Sequence, residues 1–512
     1  MTAARTYYSM GLFRSSLVAF AAGRVTSALI GFTLFLVLAR SLPLGDYGQY
    51  LTLLAGLELI VLYTSLGIPW IGIRYMPEYR IHAGGPALRR LLLQLGLASL
   101  APLALALLAL WAGAHWWMGW LKVEGAADAI GAFLLICLFD GVNRFLSTVV
   151  LESLLAQKRA QAVQILRNLV FLAPLGYLLL QGGQVDLTTV LRIELVASAA
   201  AAAAATLLSA TLLRALPDGE EDPDWTPPTR RALVEIAGYN YASNAVANLY
   251  SAPALQLLAN ALLGPAASAL FGFARNLAEQ VRRYLPSEFL LSVIRPMLVA
   301  TYASDRDDAQ LNRRMLLAAK LSLLTSAPVA GVLLGAGQEA MRLIGGARLQ
   351  DAYWLLIVLL FVSFSRSHRS LLGLFVNCVQ QTGIWLRASV ACVLVLPLAW
   401  GLIQAGWGAF ALVGAMVAEE IVCTFTVLTL LARRGHPYSV ALSRLAPLAV
   451  ATGAGCAVTA LAMHLPVAWV VPLAAALGGL VYGAVLLVWS PFDRAERRQI
   501  NRIGGRRIFA ED

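Results

Sequence analysis

Four charged residues, Arg275, Glu279, Arg282 and Arg283, stand in a segment whose other residues are mostly apolar. Their spacing of i, i+4, i+7 and i+8 puts all four on one face of a helix. A charge held at bilayer depth is costly. Such groups therefore face a bundle interior or a water-filled cavity and mark function by default. Arg24, in the first apolar stretch, has no charged residue three or four positions away on its own chain. It lies about 15 Å along its helix at 1.5 Å per residue, close to mid-membrane. Arginine stays ionised and its planar fork makes bidentate, charge-assisted bonds, so this chemistry suits phosphate or pyrophosphate. Arg24 and Arg275 are the deepest candidate anion contacts, with Arg282 and Arg283 as a rung nearer the mouth; the bland reading of that rung is two side chains snorkelling to the interface. Arg275 has a structural alternative too, neutralisation by Glu279 at i+4. Glu58, Glu279 and Asp140 are candidates for counter-charge or for coupling to an ion gradient. Asn240 and Asn244, with Asn248 and Tyr241, give one helix a polar face able to bond sugar hydroxyls or to pack between helices. Arg144, Arg366 and Arg369 read as anchors near helix ends.

Elements that hold such residues in place must be membrane-spanning helices. Of 512 residues, 59% are hydrophobic and 13% charged, about half the charged fraction of a soluble domain. The net charge of +11 is scattered between apolar segments, which argues against nucleic acid as a partner and for topology signals. Cys137, Cys378, Cys392, Cys423 and Cys456 all fall in apolar stretches without C-x-x-C spacing, so small buried hydrophobes are expected, with no disulfide framework. No phosphate-binding P-loop, H-E-x-x-H or His/Cys metal spacing occurs, and neither a metal nor another cofactor is expected.

At about 20 apolar residues per span, the chain predicts about 14 transmembrane helices: an all-α integral membrane protein. Lys and Arg gather in alternate loops, including Arg74, Arg80, Arg89 and Arg90, then Lys158, Arg159 and Arg167. That asymmetry places both termini in the cytoplasm. The acidic, Pro-rich stretch LPDGEEDPDWTPP at 216–228 reads as a flexible loop, too polar to pack. The expected plan is an N-lobe over residues 1–213, a cytoplasmic linker at 214–231 and a C-lobe at 232–434. Two further helices follow at 435–490 and a basic tail at 491–512. LPLGDYGQY at 42–50 and LGPAASALF at 263–271 match at an offset of 221, which also pairs Glu58 with Glu279. This supports two pseudo-symmetric six-helix lobes. The tryptophans Trp111, Trp116, Trp117 and Trp120 read as an outer-interface belt.

The stretch AGRVTSALIGFTLFLVLARSLPLGDYGQY at 22–50, with TSLGIP at 64–69 and RYMP at 74–77, resembles the opening of polysaccharide-biosynthesis flippases. These form the Wzx-type branch of the MOP superfamily, whose relatives include MurJ and the MATE exporters. Weaker similarity recurs around Ile344 and up to Gln380. The resemblance implies alternating access between two lobes in the bacterial cytoplasmic membrane. It also implies a lipid-linked oligosaccharide on undecaprenyl pyrophosphate as substrate, the bilayer as surroundings, and polysaccharide polymerase and export machinery as partners. Arg24 aligns with an arginine that MurJ-like proteins carry in helix one. Ile30 stands where those proteins carry a second arginine, a departure that favours a generic polysaccharide flippase over a peptidoglycan-precursor one. Two alternatives stay open: a drug or metabolite antiporter of the same superfamily, and a membrane polysaccharide polymerase. The first calls for an acidic lumen and the second for a long outer loop; the chain offers neither.

Overall fold

A computed structural model describes residues 10–215, 225–283, 307–381, 383–438, 442–467 and 469–504. Side chains are described for the same residues except 10–22, 283, 442, 499 and 502–504. Residues 216–224 of the linker, Arg306, and Arg506 and Arg507 of the tail lie outside the described residues.

Among the described residues every regular element is a helix. In chain order they are α1 (Met10–Ser41), α2 (Leu44–Thr64), α3 (Ile68–His82), α4 (Gly84–Ala112), α5 (Ala114–Leu121), α6 (Ile130–Leu146), α7 (Gln157–Leu180), α8 (Leu187–Arg214), α9 (Arg230–Leu249), α10 (Ala252–Leu258) and α11 (Pro265–Arg283). There follow α12 (Asp308–Gly345), α13 (Ala352–Cys378), α14 (Gly383–Cys392), α15 (Val395–Gln404), α16 (Ala409–Arg433), α17 (Ala446–Ala462), α18 (Val470–Val488) and α19 (Arg494–Gly504).

Among the described residues, eleven helical stretches are long and apolar enough to cross a membrane, and two bent pairs, α2 with α3 and α9 with the Ala252–Leu263 stretch, bring the number to 13. The fourteenth segment expected from sequence is α11. It is 19 residues long and too polar to qualify on composition. The protein is an all-α, multi-pass membrane protein.

The bend between α2 and α3 is 61° and has a local cause. Leu66 and Gly67 both take positive φ, 49° and 74°, a backbone state that glycine accepts and that helices cannot continue through. Pro69 then opens α3, where its missing N–H costs nothing. A Cβ at Gly67 would lie 2.3 Å from the Ala237 carbonyl oxygen on α9, so the bend also admits a close helix crossing.

The chain divides into two compact units, Met1–Ala269 and Leu270–Asp512. In the first, α6 and α7 pack on α8, and α1 packs on α7. Arg80 donates to Leu154 O, Arg89 to Leu213 O and Arg159 to Leu208 O. Arg80 and Arg89, near the termini of α3 and α4, thus cover carbonyls at helix ends, where the backbone leaves acceptors unpaired and the dipole is negative, and Arg159 reaches a carbonyl further back in α8. α9 and α10, which follow the linker, belong to this unit: Tyr241 donates to Tyr63 O, and Tyr63 to Ala245 O.

The linker itself departs from the expected flexible loop at its end. Trp225 donates to Glu78 Oε1 at 3.0 Å, stacks on His82 and meets Tyr79 edge-on. Of the four belt tryptophans, Trp111, Trp116 and Trp120 are exposed, while Trp117 is buried and donates to Leu110 O.

In the second unit, α12, α17 and α18 form a tightly packed trio. Small residues let the backbones approach: a Cβ on Gly478 would sit 2.0 Å from Thr459 Oγ1 and 2.8 Å from Gly455 O. Between apolar helices such close packing supplies the association energy. Gly478→Leu is therefore expected to lower stability by about 1–3 kcal/mol through overpacking. Gly479→Ala, whose Cβ would meet nothing within 4 Å, should leave the melting temperature of the detergent-purified protein unchanged.

Candidate functional site: buried arginine clusters in the two units

Two arginines on α13 carry a four-residue charge network in the second unit. Arg366 and Arg369 are three residues apart, so they share a helical face. Both reach the adjacent acids Glu419 and Glu420 on α16. Arg366 Nη2 lies 2.9 Å from Glu419 Oε2 and its Nε 3.1 Å from Glu420 Oε1. Arg369 Nη1 lies 2.8 Å from Glu419 Oε1 and its Nη2 3.2 Å from Glu420 Oε1. Each guanidinium bridges both carboxylates. The acids are buried and the arginines half-buried, so the pairing answers the cost of placing four charges at membrane depth.

Arg366 and Arg369 also line a cavity of about 370 Å³ together with Arg282, Ser370, Gly373 and Trp385. Arg282 is held by Glu279 on the same helix, Nη2 to Oε1 at 2.6 Å and Nε to Oε2 at 2.9 Å. Glu279, set against Arg275 by the i+4 spacing, thus makes a two-pronged pair with Arg282 at i+3. Arg275, half-buried, donates to Asn276 Oδ1 at 3.2 Å. Arg283 ends α11, and its side chain lies outside the described ones. Three guanidiniums, each paired with a carboxylate, thus line one cavity beside an indole. To the expectation that Arg366 and Arg369 anchor a helix end, the structure adds their partners, which sit some 50 positions away on another helix, beyond the reach of i,i+4 reasoning.

The first unit has its own polar centre. Asp140, buried on α6, bonds Arg144 one turn on. Glu58 on α2 is exposed and lines a second cavity of about 200 Å³ with Arg144, Ser99 and Thr148. The structure thus brings the sequence-identified Glu58 and Asp140 together around Arg144, which sequence had set aside as an anchor. Arg24 on α1 is exposed and interacts electrostatically with Glu152. Its neighbour Gly23 touches Gln161 of α7. Asn240 and Asn244 are half-buried on α9, and each gives its side-chain N–H to a carbonyl one turn back, Ile236 O at 2.8 Å and Asn240 O at 2.9 Å. Each amide oxygen remains as an acceptor suited to a hydroxyl.

One buried pair was missed altogether. Arg167 on α7, counted from sequence as a loop charge, bonds Glu194 on α8 at 3.0 Å. Glu194 is buried, with the Tyr50 hydroxyl against it. The signal available was a lone acid inside an Ala-rich helix. By contrast Glu235, on α9, is exposed and pairs with Arg231.

No family model matches the chain, and no curated protein matches it in sequence. Solved structures do. The lipid II flippase MurJ, in an inward closed conformation, aligns with a TM-score of 0.62 at 9% identity, covering 92% of this chain and 98% of that one. An inward-facing multidrug resistance MATE family transporter of the MOP superfamily aligns at 0.56 and 15% identity, covering 80% and 94%. The MATE multidrug transporter DinF-BH aligns at 0.54 and 15% identity, covering 84% and 96%. The chain has the fold of these transporters, as the resemblance read from its first helices implied.

Proposed function

We propose that the protein is a flippase carrying a polyprenyl-pyrophosphate-linked oligosaccharide from the inner to the outer leaflet of the bacterial cytoplasmic membrane, by alternating access. The observation that carries this reading is the cavity lined by Arg282, Arg366 and Arg369 inside a membrane-embedded unit. A bilayer opposes passage of a pyrophosphate and its glycan but not of a prenyl tail. A flippase must therefore offer the head a polar, cationic shelter and leave the tail in lipid. Guanidiniums braced by carboxylates are pre-oriented for two-pronged bonds to phosphate oxygens. Trp385 beside them provides an apolar face of the kind sugar rings stack on. Arg24 and Arg275 add cationic contacts, Arg283 extends the rung, and the amide oxygens of Asn240 and Asn244 accept from sugar hydroxyls. Glu58, Asp140 and Glu279 serve as counter-charges, and Glu58 or Glu279 is where a proton or ion gradient would couple. Both termini are read as cytoplasmic, and polymerase and export machinery as downstream partners.

The shared fold with a lipid II flippase supports the reading, while the MATE transporters with the same fold keep a second one in view. Glu58, an exposed acid on the cavity of the first unit, is the feature a cation exporter would use. A strain lacking the protein distinguishes them. It is expected to accumulate lipid-linked repeat units on the cytoplasmic leaflet. Accumulation on the outer leaflet would instead fit a polymerase, and unchanged glycolipid with raised drug sensitivity would fit an exporter.

A further inference from the structure

The C-terminal helix α19 follows the last span after five residues and does not hang free. Asp493 and Glu496 form a reciprocal cap, each carboxylate accepting from the other's backbone N–H, at 2.9 Å and 2.8 Å. Glu496 also takes both of its oxygens to Lys320 Nζ on α12, at 2.9 Å and 2.7 Å. Lys320 is 2% exposed and Glu496 8%, so this is a buried ion pair, costly to break once formed. Phe492 and Asn501 are buried as well. The helix is clamped to the bundle along one face.

The opposite face is cationic. Arg494 and Arg498 are exposed, and their i, i+4 spacing sets them on one stripe. The nearby acids are engaged: Glu496 on Lys320, and Asp493 in the cap and 3.8 Å from Arg444. Exposed Arg433 and Arg434 end α16, and Arg444 precedes α17. By chain direction these helix ends lie at the same end of the unit as the start of α19. The last residues of α18 are exposed and apolar, Leu487 at 88% and Val488 at 91%, and Trp489 follows at 49%. Such a sequence belongs at the boundary between hydrocarbon and headgroups.

We infer that α19 is a fixed platform for the phosphate headgroups of anionic membrane lipids. Interface depth and charge both select that occupant. A stripe of arginines just past a lipid-facing helix end meets phosphates of the adjoining leaflet before it meets anything soluble, and each arginine near a charged surface adds attraction that salt screens. The Lys320–Glu496 pair makes the platform rigid, so bound lipid would load α12 directly and not through a flexible tail.

The test uses the full chain purified from membranes into mild detergent, re-lipidated with equal phosphatidylglycerol and phosphatidylcholine, and the lipid retained after washing. The native chain is expected to enrich phosphatidylglycerol, with the enrichment falling as salt rises. R494Q/R498Q should cut it by about 30-fold, at about 1 kcal/mol per arginine, with an unchanged melting temperature. E496Q, which removes no arginine, should weaken enrichment less while raising hydrogen exchange in α19. Equal retention of both lipids by the native chain, or full enrichment in R494Q/R498Q, overturns the proposal. In that case the stripe would be left for an acidic protein partner.

Discussion

Arg369→Ala is expected to destabilise the purified protein by about 3–5 kcal/mol, the cost of leaving buried carboxylates without their cation. Arg369 contacts Glu419 and Glu420 together, and Arg366 cannot neutralise two acids alone. The substitution should also lower expression, because α13 and α16 are joined through this network. Thermal unfolding in detergent reads the effect directly. The four-residue variant R366M/R369M/E419Q/E420Q separates architecture from function. Apolar and neutral side chains of similar volume remove the desolvation cost along with the pairing, so most of the lost stability should return. Transport should not return, since the cavity would then have lost two of its three arginines. A four-residue variant that transports normally would reduce the network to a structural clasp.

Arg282→Ala should act on transport far more than on folding. Arg282 is half-buried, and its partner Glu279 is about a third exposed, so Glu279 can be hydrated when left alone. Losing one charge-assisted, two-pronged contact to phosphate removes about 2–3 kcal/mol, which is roughly 30- to 150-fold in translocation rate. Arg282→Lys keeps the charge but not the planar fork and should recover only part of it. Arg24→Ala and Arg275→Ala are expected to abolish export at normal protein levels. Arg231→Ala, which removes an exposed surface pair with Glu235, should leave export intact.

The spans could be read from sequence because a bilayer imposes the same demand on every one of them: about 20 apolar residues with internally satisfied backbone. The bends could not. Leu66 and Gly67 sit in a continuous apolar run, and their positive φ and the close crossing of α9 at Gly67 are seen only in the structure. At the site, Glu279 and Arg282 lie three residues apart on one helix, a pairing within reach of local spacing, whereas the sequence reading weighed Glu279 only against Arg275 at i+4. The Arg366–Arg369 network, the Arg167–Glu194 pair and the Lys320–Glu496 clamp join residues 27 to 176 positions apart. No local spacing rule can detect them; what sequence can register is the oddity of a charge inside an apolar helix, and in these three cases the partner lies on another helix. Trp225 is the converse case, a single aromatic in a polar strap whose seat on Tyr79 and His82 composition could not announce.

The central claim is that the arginine-lined cavity of the second unit receives a pyrophosphate-linked head group. Its most direct test is leaflet-resolved translocation of a labelled undecaprenyl-pyrophosphate oligosaccharide in vesicles containing the purified protein. The account predicts translocation well above that of protein-free vesicles, competed by free pyrophosphate glycolipid and lost in R282A. Glycolipid that stays in its original leaflet, while the same vesicles transport a cationic drug, would contradict it.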